Sequence, residues 1–323
     1  MTVSEITDLR IYPIKSCRGL SIPAAQLTTS GLHLDRQWMF VDGDHKFLTI
    51  RQKPQMTLIN TSIDHEKQLL VITIGSDTSK QISVPLYATD AWLAENAKPI
   101  IVNIWEYDTE AYMYTDPTIQ SLFRDFIGDG SDVFFVVKDP KAPRICRGNG
   151  APDILGRKAT VNFPDVLPLQ IASESSLAEL NGRLKGQGHD EITVERFRPN
   201  IIIKGGEPWS EDSWKTVRIN GSGAMGANWL PSAVAGPAMG AIDIDVAARC
   251  ARCQVPNVNP DTAEKDKHQP WDTLMKYRRV DEGITFKPCF GMLCVPRNEG
   301  KVEVGMRFEV LGTTQDHKYI KGF

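Results

Sequence analysis

The chain has no excess of positive charge. Lys and Arg number 37 against 40 Asp and Glu, a formal net charge of −3, so the basic stripe that binds nucleic acid is missing. Cysteine is scarce: six in 323 residues are too few for a small secreted domain stapled by disulfides. No long apolar run is present. The most apolar stretch, 224–248, contains Pro231, Pro237, Asp243 and Asp245, which a simple membrane-spanning helix would not carry. Residues 1–6 hold no apolar leader core, so neither signal peptide nor membrane anchor is expected, and a reducing intracellular setting is. No G-x-G-x-x-G follows a predicted strand, and no P-loop or G-x-S-x-G string occurs. The six histidines are scattered, which argues against a histidine zinc site.

What is present is a globular composition. Hydrophobic residues make up 41%, enough for a real core, and the length suggests two domains. Gly and Pro, 25 and 20, suit strands and turns. Runs at 9–14, 38–41, 46–50, 69–74, 81–86, 100–105 and 133–137 read as strands, with a hairpin turn at 42–45. Asp116, Pro117 and Gly128 bracket a helix whose apolar face is Ile119, Leu122, Phe123 and Phe126. Ser173 is placed as the cap of a second helix, 174–184. Further strands are expected at 201–204, 242–247 and 301–311, and a short helix at 270–277. Segment 221–240 is Gly/Ala-rich and takes no assignment. The boundary falls in the Pro-, Gly- and Arg-rich segment 138–152, giving domains 1–140 and 141–323.

Four clusters could carry chemistry. Cys250-Ala251-Arg252-Cys253 suits half a zinc site, a redox pair, one metal-bound thiolate with a bystander, or two buried small residues at a strand end. Cys289 and Cys294 would supply the other half of a zinc array, with Phe290 to Leu293 between them as core. Arg249 and Arg252 would favour a thiolate. Lys15-Ser16-Cys17-Arg18-Gly19, where the first strand exits, could bind phosphate or be a solvated turn. Asp35-Arg36 suggests an ion pair. Arg196-Phe197-Arg198-Pro199-Asn200 could grip an anionic, heteroatom-rich ligand or form a surface ion-pair network.

In chain order, Tyr12 to Gly19, Asp35-Arg36-Gln37-Trp38, the Arg196–Asn200 cluster, Arg249 to Cys253, and Val258-Asn259-Pro260-Asp261-Thr262 resemble the MOSC-domain proteins with an N-terminal β-barrel domain. Among these they are most similar to the eukaryotic amidoxime-reducing components. The resemblance spans nearly the whole chain. It implies a mixed, β-rich α/β fold: an N-terminal β-barrel-like domain followed by a MOSC β-barrel domain with a few helices. It implies a molybdenum cofactor, a pterin dithiolene with its phosphate, whose metal takes a thiolate from Cys253. Lys15, Ser16 and Arg36 match positions that hold the phosphate and pterin. Arg198 and Asn200 match positions that line the pterin, and Asp165 an acidic residue near the metal that could supply a proton. Arg252 would help keep the Cys253 sulfur ionised. Three departures stand out: the 221–240 insertion, Asn259 and Ala263 in place of Asp and Gly, and no anchor before the first strand.

The implied activity is reduction of small N-hydroxylated substrates such as amidoximes and hydroxylamines. Electrons would come from a b5-type cytochrome and its NADH-dependent reductase, since the chain shows no haem or flavin motif. The implied location is cytoplasmic or mitochondria-associated. Two other readings are a carrier of molybdenum cofactor or sulfur, and a zinc-stabilised binding module.

Overall fold

A computed structural model of the chain describes residues 3–75, 77–220 and 240–322. Seven strands close a barrel. Round the ring they are β15 (Ile201–Ile203), β14 (Leu169–Ser173), β18 (Cys289–Pro296), β17 (Ile242–Ala251), β16 (Trp214–Ile219), β20 (Arg307–Thr313) and β1 (Val3–Ile11). Leu9 of β1 sits opposite Ile201 of β15 and closes the ring, which leaves no open edge there. β2 (Leu20–Ile22) pairs outside it with β1. The first strand of the chain is therefore a stave of a barrel whose other staves lie beyond residue 168.

Residues between them build smaller sheets. β5 (Trp38–Asp42), β11 (Val133–Lys138), β10 (Tyr107–Tyr114) and β9 (Ala97–Ile104) form one antiparallel sheet in that order. β6 (Ile59–Asp64), β7 (Leu69–Ile74) and β8 (Asp77–Pro85) form a meander. β3 (Ala24–Thr28) pairs with β4 (Gly31–Leu32) and β19 (Gly300–Glu303), and β12 (Arg144–Ile145) with β13 (Thr160–Val161). Five helices complete the described residues: α1 (Asp90–Asn96), α2 (Pro117–Ile127), α3 (Pro152–Leu155), α4 (Glu174–Gly186) and α5 (Trp271–Tyr277).

Local chemistry accounts for these elements. In α2 the Asp116 carboxylate accepts from the Thr118 N–H at 2.8 Å, Pro117 occupies the first position, and Gly128 caps the end. Phe123 from that helix packs on Phe40 of β5, ring centroids 4.4 Å apart. β15 is three consecutive buried isoleucines, the pattern of a strand covered on both faces. β17 alternates buried and half-buried residues as far as Ala247, then is buried through Ala248, Arg249 and Cys250. The outward positions carry charge: Asp243 accepts from Arg218 of β16 at 2.6 Å. A register shift between Arg249 and Ala251 marks a bulge against β18, which re-aims the strand end. Gly291 of β18 has φ +72°, and a Cβ there would lie 2.7 Å from the Ile171 carbonyl oxygen.

Several expectations change. The second arm of the 42–45 hairpin is reduced to isolated bridges such as Val41 to Phe47. Ser173 stands at the start of α4 without capping it, because its hydroxyl pairs with Ser175 Oγ at 2.6 Å. β6, β10, β14, β16 and β18 were not foreseen as strands. One of them matters for the sequence reading: β16 does precede a G-x-G-x-x-G string, residues 221–226. That string, like most of the unassigned 221–240 segment, lies outside the described residues. Its flanking strands β16 and β17 pair antiparallel, unlike the parallel βαβ unit of a dinucleotide site.

Candidate functional site

The turn after β1, the segments before β5, β14 and β15, and the end of β17 converge on one cleft of about 220 Å³. The eight residues that the resemblance assigns to the site line it: Lys15, Ser16, Arg36 and Asp165, then Arg198, Asn200, Arg252 and Cys253. They come from segments as much as 238 residues apart (253 − 15) in the chain.

Three of them have left-handed backbones. Ser16 has φ 68°, Arg36 φ 48° and Arg198 φ 59°. Each such non-glycine residue costs on the order of 1–3 kcal/mol, and such strain clusters at functional sites. Arg36 is held by its neighbours. Its guanidinium donates to Asp35, to Asn200 Oδ1 at 3.0 Å and to the Arg198 carbonyl at 3.0 Å. Arg36 and Arg198 both stack on buried Tyr12, 4.5 and 4.2 Å from the ring centroid. Burial pushes Arg198 down to about 10. The Asn200 amide is committed within the protein: it donates to the Arg10 carbonyl at 3.2 Å and accepts from Arg36 and the Gln170 N–H. These bonds fix the cleft wall and use one of the two amide hydrogens.

The two cysteines differ. Cys250 is buried within β17, whereas Cys253, beyond the strand end, is the one half-exposed cysteine of the six. Arg252 does not turn toward Cys253. It donates to Cys250 Sγ at 2.9 Å, to Gln170 Oε1 at 3.1 Å and to the Phe197 carbonyl at 2.9 Å. The expected help from Arg252 to the Cys253 sulfur is therefore corrected: Arg51, which lines the same cleft, is the cation that interacts with that sulfur electrostatically. Arg51 also donates to Asp165 Oδ2 at 2.9 Å and stacks 4.9 Å from the Trp105 centroid.

Asp165 is clasped by cations. Lys15 Nζ pairs with Oδ1, and the same ammonium donates to the Phe163 carbonyl at 2.7 Å. Burial alone would raise the Asp165 pKa, but Lys15 and Arg51 hold its carboxyl well below the usual range. The expectation of a proton on Asp165 is revised accordingly: in this geometry it is an ionised anchor. Burial lowers Lys15 to about 8, with Asp165 opposing the shift.

Three residues that line the cleft carry donors without acceptors. Gln170 Nε2, Arg198 Nη2 and Arg252 Nε are buried and unpartnered. Buried donors of this kind are costly unless something accepts from them. Three such donors beside a half-exposed thiol fit an anionic, acceptor-rich group with a soft metal, as a phosphorylated pterin dithiolene is. The zinc array finds no support here. Cys289 and Cys294 are buried in β18, and no three His, Cys, Asp or Glu among the described residues gather as a metal site.

Sequence reasoning missed Arg51, Trp105 and Gln170. Gln170 had a signal: an amide in the apolar run Leu167-Pro168-Leu169-Gln170-Ile171 must find partners once buried. Arg51, in a turn between Ile50 and Gln52, had none.

A closed MOSC-type barrel whose cleft combines Lys-Ser, Arg-Pro-Asn and Cys-Ala-Arg-Cys segments defines a protein class. The MOSC N-terminal beta barrel domain matches residues 3–130 and the MOSC domain residues 158–309. The chain belongs to this MOSC family. It is 30% identical to mitochondrial amidoxime reducing component 2 of Bos taurus, over 94% of this chain and 82% of that protein. It is 27% identical to mitochondrial amidoxime-reducing component 1 of Homo sapiens, over 96% and 84%. It is also 30% identical to the molybdenum cofactor sulfurase of Arabidopsis thaliana, over 87% of this chain but 32% of that longer protein. Among the described residues no helix is long and apolar enough to cross a membrane.

Proposed function

We propose that this chain is a molybdenum-cofactor-dependent reductase of small N-hydroxylated compounds, amidoximes and hydroxylamines. The observation that carries the reading is the set of buried, unpartnered donors on Gln170, Arg198 and Arg252, with half-exposed Cys253 in the same cleft. Similarity to two amidoxime-reducing components over most of both chains supports it.

In this reading Lys15 and Ser16 hold the cofactor phosphate, and Arg198, Arg252 and Gln170 hold the pterin. Arg36 and Asn200 fix the backbone around them, and Cys253 supplies the protein thiolate. The cofactor, when bound, would supply two-electron oxygen-transfer chemistry at the mouth of the cleft beside Cys253. The overall reaction takes N–OH, two electrons and two protons to N–H and water. Asp165 keeps Lys15 and Arg51 in place, and Arg51 orients the Cys253 sulfur. The electrons come from a b5-type cytochrome and its NADH-dependent reductase, in a cytoplasmic or mitochondria-associated setting.

The test is turnover of benzamidoxime to benzamidine by cofactor-loaded protein. A one-electron chemical donor should drive it and NADH alone should not. A second reading, a carrier of cofactor or sulfur, is favoured by the likeness to the sulfurase. It predicts cofactor binding and no benzamidine.

A further inference from the structure

A second cavity, of about 310 Å³, adjoins the cleft and shares Ile50, Arg51, Cys253, Val255 and Lys287 with it. Its apolar surface is Ile50, Val255, Val258 and Trp271. Its charged groups are all cations: Arg51, Lys265 and Lys287, with no carboxylate in its lining. Arg51 is occupied by Asp165, whereas neither lysine pairs with a carboxylate among the described residues. Lys265 is exposed at the rim and Lys287 is half-buried.

We infer that this cavity is the substrate subsite and that it selects N-hydroxylated compounds with a flat apolar body that carries an anionic substituent. The inference rests on the reductase reading for the position of the N-hydroxyl group, which faces Cys253 where the two cavities meet. The apolar body lies against Trp271 and the aliphatic residues, which suit a ring. The carboxylate meets Lys265 and Lys287, neither of which forms an ion pair among the described residues. A cationic lining without anions also disfavours substrates that carry an ammonium.

The test compares benzamidoxime with 4-carboxybenzamidoxime. Binding to cofactor-loaded protein is measured by calorimetry, and turnover with a chemical reductant. The carboxylate should tighten binding about tenfold. The double variant Lys265→Gln/Lys287→Gln should erase that advantage, read as the ratio of the two compounds' affinities on the same preparation. Equal affinity for both compounds in the unaltered protein overturns the inference, as does an advantage that survives in the double variant. If the double variant slows only turnover driven by a protein donor, and ligand discrimination is intact, the lysines dock the donor and the inference is wrong. If the preference is seen but neither compound is reduced, the subsite stands and the reductase reading falls.

Discussion

The Arg252 guanidinium lies 2.9 Å from the sulfur of Cys250, not of its neighbour Cys253. This contact divides a C-x-x-C pair into a buried structural thiol and a half-exposed one. The bulge near the end of β17 makes the division, because the chain turns within the motif.

Reactivity in the cofactor-free protein should follow that division. Iodoacetamide should label Cys253 first, since the other five cysteines are buried, and burial pushes the Cys146 and Cys289 thiols up to about 12. Peptide mass mapping reads the site. Cofactor loading should protect Cys253. Equal labelling of Cys250 and Cys253 would contradict the assigned surroundings.

Arg36→Ala should weaken both fold and cofactor binding. Asp35 is 2% exposed and loses its cation, while Asn200 and the Arg198 carbonyl lose a donor. The loss should be about 2–3 kcal/mol in urea unfolding. Arg36→Lys should not recover it, because one ammonium cannot reproduce the planar fork. Unchanged stability together with full cofactor occupancy in Arg36→Ala would sink this placement.

Lys15 gives a pH signature with two opposite signs. Its folded pKa is about 8 against an ordinary 10.5. Between these values the unfolded chain binds more protons, so stability rises with pH across that window. The charge that would hold phosphate is full below about 8 and lost above it, so cofactor loading should fall as pH rises through 8. Asp165 stays ionised throughout this range and adds no slope. Loading that is flat from pH 7 to pH 9.5 would remove Lys15 from the phosphate site.

Arg51→Gln should retain molybdenum and lower turnover by about tenfold or more, because one guanidinium serves Asp165 and the Cys253 sulfur together. Metal analysis and kcat on the same preparation separate the two effects. Loss of metal with normal specific activity per molybdenum would make Arg51 a cofactor holder instead.

Much of the site was legible because its residue types are unusual at their positions. Lys-Ser where β1 exits, two arginines and an amide before three isoleucines, and cysteines at the end of an alternating strand all demand partners. The helix α2 was legible because Asp116, Pro117 and Gly128 act locally. β14 and β18 were not, because continuous burial removes the alternation that marks a strand. The long-range pairs were out of reach as well: nothing in the order of residues says that β1 closes on β15, or that Arg51 reaches Cys253 while Arg252 turns to Cys250.

The measurement that decides most directly is metal content, by mass spectrometry, of protein expressed in a host that makes the molybdenum cofactor. The unaltered chain should carry about one molybdenum and no stoichiometric zinc. Cys250→Ala should keep the molybdenum and most of the turnover, and Cys253→Ala should abolish turnover. Zinc in place of molybdenum, or equal loss of metal in both cysteine variants, would contradict the single-thiolate molybdenum site.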